Sequence, residues 1–581
     1  MKSLYLIDAI GPFFRGWDRR KVNWSKLPWA RLNALSDEEQ SQFYSQVRED
    51  MSTFVERVSI DGFTAVSLDD VAHLADHEAY DPAIRSQIRQ YGHEFHKVFS
   101  IVKEEGLDLF LTMDILSLAP GLKDYLCIGS RSGKFRERRV NDFLVELIDR
   151  FLSDFPEVSG LILRIGESDG RDIKEDFRSE LYLTTPSMVN RFLRSILPVF
   201  EKHNKLCIFR TWTVGAHSVG DLIWRHATLK QVLRRVESQS LILSMKYGES
   251  DFFRYLTLNR NFFLTELPTI IELQARREYE GCGEYPSFVG WDYQNYALEL
   301  AQAPNCIGIS VWCQTGGWTP FRRLAYLEKS AIWTEINAWV SLRIFRFGDS
   351  VEAAIISHPL CKGDKSAWIE LLRLSDEAVK ELLYLKDYAS QSFYFRRVRI
   401  PPLLGTFWHN IFVSETLSEV LMHFVEDPDH CIRTGYGVIE KIRKMKELAV
   451  RCELPVKDIE YMEDTFSILA LAREYHLGGV KDRELIKKLK KAKKRYKRKY
   501  PKGTRYRYAI KLHLEPIHFG KRHISWFFRY IVRGKMQYRF VDRLIEIRLL
   551  SLGWWLLKRT RPKAIPKFAR KSAMGIDTIF R

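Results

Sequence analysis

The chain is 581 residues long, with room for several domains and a large core, and its 46% hydrophobic content with 15 Trp, 25 Tyr and 36 Phe excludes a disordered polypeptide. Its formal charge of +18 is concentrated at one end: residues 481–581 carry 32 Lys and Arg against 6 Asp and Glu, which leaves the first 480 residues with a net charge of −8. The 8 cysteines never form a CxxC pair, and several lie inside apolar runs. This argues against a zinc ribbon or a disulfide framework and for reduced thiols in a cytosolic compartment.

The opening MKSLYLIDAIGPFF is apolar but short, and Asp8 interrupts it, so it reads as a strand and not as an export signal. From there to about residue 335, short β-rich runs alternate with amphipathic windows. Strands are expected at 4–9, 62–68, 107–114, 160–166, 206–213, 241–247, 269–274 and 306–313, and helices at 37–58, 83–105, 140–155, 185–203 and 293–303. Eight strands with interleaved helices predict an α/β fold, a (β/α)8 TIM barrel over residues 1–335. An open doubly wound sheet has the same periodicities and is the alternative.

Polar residues recur at one end of these strands. Asp69 and Asp70 follow the second, Asp114 ends the third, and Arg164 and Glu167 close the fourth. Arg210 and Trp212 fall on the fifth, Lys246 and Asp251 close the sixth, Glu272 and Glu278 close the seventh, and Trp312 with Gln314 ends the eighth. In a barrel these positions converge on one rim, where active sites sit. No phosphate-binding glycine loop follows a strand, and histidines such as His73 and His217 lack ligand spacing, so neither a cofactor nor a metal is expected.

Carboxylates on one rim are what glycoside hydrolysis requires: a protonated acid on the leaving-group side and a base across the ring. Glu167 is the candidate acid, and Asp251 with Glu278 the candidate base pair. Lys246 and Arg210 are expected to receive a negatively charged sugar, with Arg164, Asp70, Asp114, Trp212 and Trp312 completing the substrate-binding set. Arg210 and Lys246 have a second reading, as buried ion pairs that neutralise nearby acids. Glu272 is read as structural.

The segment MKYGESDFF followed by ELQARREYEG resembles the pattern of the family 67 α-glucuronidases, in which a KNGxxDF segment precedes an ELQxxxEYxG segment. The resemblance covers roughly the first 330 residues. It implies that Asp251 and Glu278 form the general base pair, that Lys246 binds the uronate carboxylate, that Glu167 in RIGESDG is the acid, and that Arg210 in FRTWT matches the family's arginine on strand five. The family's NSEGQPGP loop is here GESDGRDI, and its asparagines after strands two and three are replaced by Asp69, Asp70 and Asp114. The resemblance therefore implies an acidic glycan other than a xylan-derived glucuronide.

Residues 336–479 read as an α-helical domain, with helices expected at 339–347, 366–385, 406–425 and 437–451 and a break at Pro401 and Pro402. The resembling family implies that such a domain contributes to a homodimer. Residues 480–581 form a basic, aromatic-rich amphipathic tail. Its first block, KKLKKAKKRYKRK with Lys494, Arg495 and Lys497, reads as a solvated helical arm. Further on, ISWFFRYIVRGK with Trp526 and RLIEIRLLSLGWWLLKR with Trp554 and Trp555 interleave aromatic and basic residues. The longest uncharged run, 549–557, falls far short of the roughly 20 residues that span a bilayer. This composition fits peripheral attachment to an anionic membrane face. Nucleic acid is a rival, although no nucleic-acid module precedes the tail, and docking to an acidic protein partner is another.

Together these readings predict an α-glucuronidase-like glycoside hydrolase that acts with inversion on a uronic-acid-containing oligo- or polysaccharide, in surface-polysaccharide metabolism at the cytoplasmic face of the membrane. A glycosyl-transferring enzyme of polysaccharide biosynthesis and a non-catalytic glycan-binding scaffold are the alternatives.

Overall fold

The computed structural model describes residues 3–15, 27, 29–128, 133–166, 176–213, 217–314, 323–395, 397–403, 406–407, 410–479, 483–501, 506, 511–513, 522, 526, 529–530, 532 and 549–562. Eight parallel strands close into a barrel: β1 (Leu4–Asp8), β2 (Ala65–Leu68), β3 (Asp108–Asp114), β4 (Gly160–Arg164), β5 (Leu206–Arg210), β6 (Leu241–Lys246), β7 (Thr269–Gln274) and β8 (Cys306–Trp312). Each pairs with the next in sequence, and β8 returns to β1 through Leu4↔Gly308 and Ile7↔Val311. The expected (β/α)8 barrel is therefore present, and its closure excludes the open sheet.

The period of two along each strand builds the barrel interior in levels. Leu4, Leu6, Ala65, Phe110, Ile162, Ile208, Ile242 and Ile270 form an apolar cluster of their own, distinct from the large core between strands and helices. Close approach of the strands dictates two glycines. A Cβ on Gly308 would lie 1.7 Å from the Leu4 carbonyl oxygen, and one on Gly160 would lie 2.1 Å from that of Leu206.

The outer helices are α1 (Asp37–Asp61), α2 (Pro82–Glu104), α3 (Gly133–Asp154), α4 (Pro186–Lys202), α5 (His226–Val232) and α6 (Gly290–Leu300). Their starts are chemically specified: Ser36 and Glu39 form a capping box on α1, while Asp81 and Thr185 cap α2 and α4. Between β6 and β7 the only helix is the single turn Asn261–Leu264, and the rest of that connection is irregular.

Behind the barrel lie α7 (Ile332–Leu342), α8 (Lys365–Ala378), α9 (Pro428–Arg451), α10 (Val456–Leu477) and α11 (Arg483–Lys499), with π-helical turns extending α7 and α8. The helix expected over 406–425 is corrected. Only Glu415–Phe424 is helical, capped by Ser414, whereas Thr406–Phe407 and Asn410–Phe412 are strands. The two strands pair with each other, and Asn410–Phe412 also pairs with Lys511–His513, a partner about a hundred positions away in sequence. Helix α10 has no apolar stripe because it is buried on most sides, from Ile459 and Met462 to Phe466 and Leu469. The basic arm is not simply solvated: α11 buries Leu485, Leu489 and Tyr496. Tyr496 reaches Thr465 at 3.1 Å, and Lys499 and Tyr500 both donate to Asp464 at 2.6 Å. No disulfide joins the cysteines.

The connections after β6 and β7 are fixed by a buried charge network. Arg254 donates to Glu280 at 3.1 Å, to Asp292 at 2.8 Å and to Asp376 of α8 at 2.7 Å. Arg277 donates to Glu280 at 2.6 Å, and Ser287 and Tyr384 complete the set with hydroxyl donors at 2.7 Å. Burial alone would raise the Glu280 carboxyl, but the two guanidiniums hold it far below the usual carboxylate range. Removing one partner from such a network leaves the others charged and dry. Glu280→Ala is expected to cost about 3–5 kcal/mol in denaturant unfolding, and a loss under about 1 kcal/mol would show that the network is not structural.

Candidate active site

Two residues beyond the apolar level, each strand turns polar on the same face. Leu6 is followed by Asp8, Ala65 by Ser67, Phe110 by Thr112, Ile162 by Arg164, Ile208 by Arg210, Ile242 by Ser244 and Ile270 by Glu272, and on β8 Gly308 is followed by Ser310. Two further on come Asp69, Asp114, Trp212, Lys246, Gln274 and Trp312, which form the rim. Beneath that rim a cavity of about 30 Å³, lined among others by Ser67, Thr112, Arg164, Arg210 and Ser244, has room for a water molecule or two.

Lys246, the last residue of β6, is 3% exposed. Its ammonium donates to Asp251 at 2.5 Å and lies 3.6 Å from the centre of the Trp212 ring, 4.6 Å from Phe252 and 5.8 Å from Trp312. Asp251 also accepts from the Phe252 N–H at 2.9 Å and from the Tyr279 hydroxyl at 2.6 Å. Three donors suit an ionised carboxylate.

Glu278 has the opposite surroundings. It is 4% exposed, its backbone N–H donates to the Gln274 side chain at 2.8 Å, and its Oε2 has no hydrogen-bond partner. Burial first, and then the charge on Asp251, push its carboxyl up from 4.5 to about 8, against the pull of Lys246 and Arg276. Asp251 and Glu278 are thus two neighbouring carboxyls of unequal character, the pattern that separates acid from base in an active site. The turn carrying Glu278 depends on Gly281 at φ +98°, where a Cβ would sit 2.3 Å from the Tyr285 ring.

Lys246 and Arg210, expected to receive a sugar acid, and Arg164 of the substrate-binding set already have protein partners. Arg210 grips Glu272 in a fork at 2.7 and 2.8 Å, with Ser244 adding a third bond at 2.7 Å, and its guanidinium lies 4.3 Å from the Trp312 ring centre. Burial would raise Glu272, but Arg210 holds its carboxyl below the usual range. Arg164 pairs with Asp114 at 2.9 Å, and Lys246 pairs with Asp251. The ion-pair reading of Arg210 and Lys246 therefore describes the geometry. Asp70 is buried and caps the turn Val71–His73, accepting from the His73 ring at 2.8 Å. Glu167 lies outside the described residues.

Sequence reasoning missed Tyr279 and Phe252, although both adjoin a candidate residue in sequence. It also missed Tyr394, whose hydroxyl donates to Glu249 from a short hairpin of the helical layer, a contact with no local signal. Trp526 and Trp555 of the tail are exposed, and Lys494, Arg495 and Lys497 lie on α11. Among the described residues no cluster of His, Cys, Asp or Glu is arranged to hold a metal ion, and no helix is long and apolar enough to cross a membrane.

No protein-family model and no curated protein matches the sequence. Among solved structures, the chain is similar to a GH138 enzyme targeting pectin rhamnogalacturonan II, at a TM-score of 0.51 and 12% identity over 86% of this chain and 77% of that one. A GH5_18 protein from Streptomyces cattleya (TM-score 0.37, 14% identity, 66% of this chain and 91% of that one) and an O-GlcNAc hydrolase from Thermobaculum terrenum (0.35, 10%, 78% and 86%) are more distant. At these identities the similarity to the GH138 enzyme shows a shared barrel fold, and the family 67 resemblance rests on the residues themselves.

The raised carboxyl of Glu278 has a thermodynamic consequence. Between pH 4.5 and about 8 the folded state keeps a proton that the unfolded state releases, so stability is greatest below that window and falls as pH rises through it. Relative to Glu278→Gln, the wild type is expected to lose stability with a slope approaching about 1.4 kcal/mol per pH unit. Parallel pH profiles in denaturant titrations would contradict this.

Proposed function

We propose that the barrel is a glycoside hydrolase that removes an acidic sugar, of the uronic acid class, from a glycan with inversion of configuration. The observation that carries this reading is the pairing of an anchored carboxylate, Asp251, with a buried neighbour, Glu278, whose carboxyl burial and the Asp251 charge push up, at the C-terminal rim of the barrel. Asp251 accepts the proton of the attacking water, while Glu278 holds that water through a hydrogen bond. The role of acid falls to Glu167 on the family 67 resemblance of its segment.

Acidic specificity rests on Lys246. An ammonium has three N–H donors, Asp251 takes one, and the partly exposed Trp212 and Trp312 offer stacking faces beside it. The likeness in fold to an enzyme targeting a pectin supports a glycan substrate. The same reading includes surface-polysaccharide metabolism at an anionic membrane face, supported by the basic tail.

The test is hydrolysis of a panel of uronic-acid oligosaccharides, with the anomer of the released sugar followed by proton NMR. Wild type is expected to release the inverted anomer, and Asp251→Ala and Glu167→Gln are each expected to lose about 10²–10⁴-fold in rate. A retained anomer would overturn inversion, undiminished turnover in either variant would overturn that residue's role, and binding without release would favour a scaffold. Raising pH through about 8 ionises Glu278 and adds a negative charge at the site, so KM for acidic substrates is expected to rise there in wild type and not in Glu278→Gln.

A further inference from the structure

The two ends of the basic region use their apolar residues in opposite ways. Helix α11 turns Leu485, Leu489 and Tyr496 inward against α10 and leaves most of its lysines exposed. The helix Leu549–Thr560, sequence LLSLGWWLLKRT, leaves its apolar residues exposed: Leu552 by 53%, Trp555 by 51%, Leu556 by 44% and Leu557 by 36%. Leu552, Trp555 and Leu556 share one face at helical spacing, and Arg559 continues that face one turn on. Lys558 and Arg561 follow Trp554 round the other side. Lys558 lies 5.9 Å from the Trp554 ring centre and Arg559 lies 5.3 Å from that of Trp555. The helix contains no acidic residue.

We propose that Leu549–Thr560 docks the protein on an anionic lipid surface, lying in the plane of the interface with Leu552, Trp555 and Leu556 inserted and Lys558, Arg559 and Arg561 among the headgroups. At 12 residues the helix is about 18 Å long, well short of the roughly 30 Å hydrocarbon core, so it lies on the bilayer and does not cross it. Charge complementarity selects anionic headgroups, since residues 481–581 hold 32 Lys and Arg against 6 Asp and Glu. A nucleic acid would satisfy the cations and stack on the tryptophans, but it gives Leu552 and Leu556 nothing to bury against, whereas a lipid interface takes both kinds of group. Trp526 and Tyr530, half exposed with rings 6.3 Å apart and Arg529 between them in sequence, repeat the same chemistry earlier in the tail. The docking is independent of the chemistry proposed for the barrel.

The test is co-sedimentation of the full-length protein with mixed phosphatidylglycerol–phosphatidylcholine vesicles and with pure phosphatidylcholine vesicles. Wild type is expected to bind the mixed vesicles, to bind pure phosphatidylcholine far more weakly, and to be released by salt. The triple variant Leu552→Ser, Trp555→Ser, Leu556→Ser and the triple variant Lys558→Gln, Arg559→Gln, Arg561→Gln are each expected to bind about tenfold or more weakly. All six positions are outside the packed core, so the fold and the barrel's activity are expected to survive in both. Equal binding to both vesicle types, undiminished binding by the apolar variant, or displacement of wild type from vesicles by single-stranded RNA would overturn the proposal.

Discussion

The candidate site depends on charge neutralisation inside the protein. Its two carboxyl residues sit on irregular connections after β6 and β7, and no ladder of backbone hydrogen bonds fixes such segments. The Arg254, Glu280 and Arg277 network does so instead. Asp251 lies three positions before Arg254, and Glu278 lies between Arg277 and Glu280, so the residues that face the site and those that anchor it alternate within a few positions. Desolvating these charges is expensive, and apolar side chains of similar volume would give comparable stability. A guanidinium fork, however, fixes orientation as well as distance.

Environment divides three neighbouring glutamates into different chemical species. Glu272 and Glu280 each face an arginine fork and are held as carboxylates despite full burial. Glu278 has no such fork, faces Asp251, and is driven towards its neutral form. The desolvation penalty is large for all three, and the placement of the arginines decides the sign of the outcome. The same placement commits Arg210 to the polar floor of the barrel, below the rim where Lys246 lies against the Trp212 and Trp312 rings.

The helical layer is part of this machinery. Asp376 and Tyr384 reach into the charge network, and Tyr394 meets Glu249 beside the rim. A second buried cluster joins the chain after β8 to the helices: Arg323 pairs with Asp458 at 2.7 Å and with Glu284 at 3.2 Å, and Tyr506 of the tail donates to Asp458 at 2.5 Å. The root of the tail is thereby locked into the body, while its last described helix leaves its apolar face outside.

Much of this was legible in the sequence because local periodicity encodes it. Period two in the strands and three to four in the helices located the barrel, and the switch from Ile208 to Arg210, or from Ile270 to Glu272, marked where each strand leaves the core for the site. Lys246, Asp251 and Glu278 stood out because strand ends in a closed barrel share one rim. What pairs with what was decided only by the tertiary structure. Arg210 meets Glu272 from 62 positions away, and Asn410–Phe412 pairs as a strand with Lys511–His513, about a hundred positions on. Helix α10 is buried on most sides and lacks the stripe that periodicity detects, and a lysine-rich arm hides three buried residues. Burial, pairing and the resulting proton affinities are set by atoms brought together from distant parts of the chain, and no local pattern carries them.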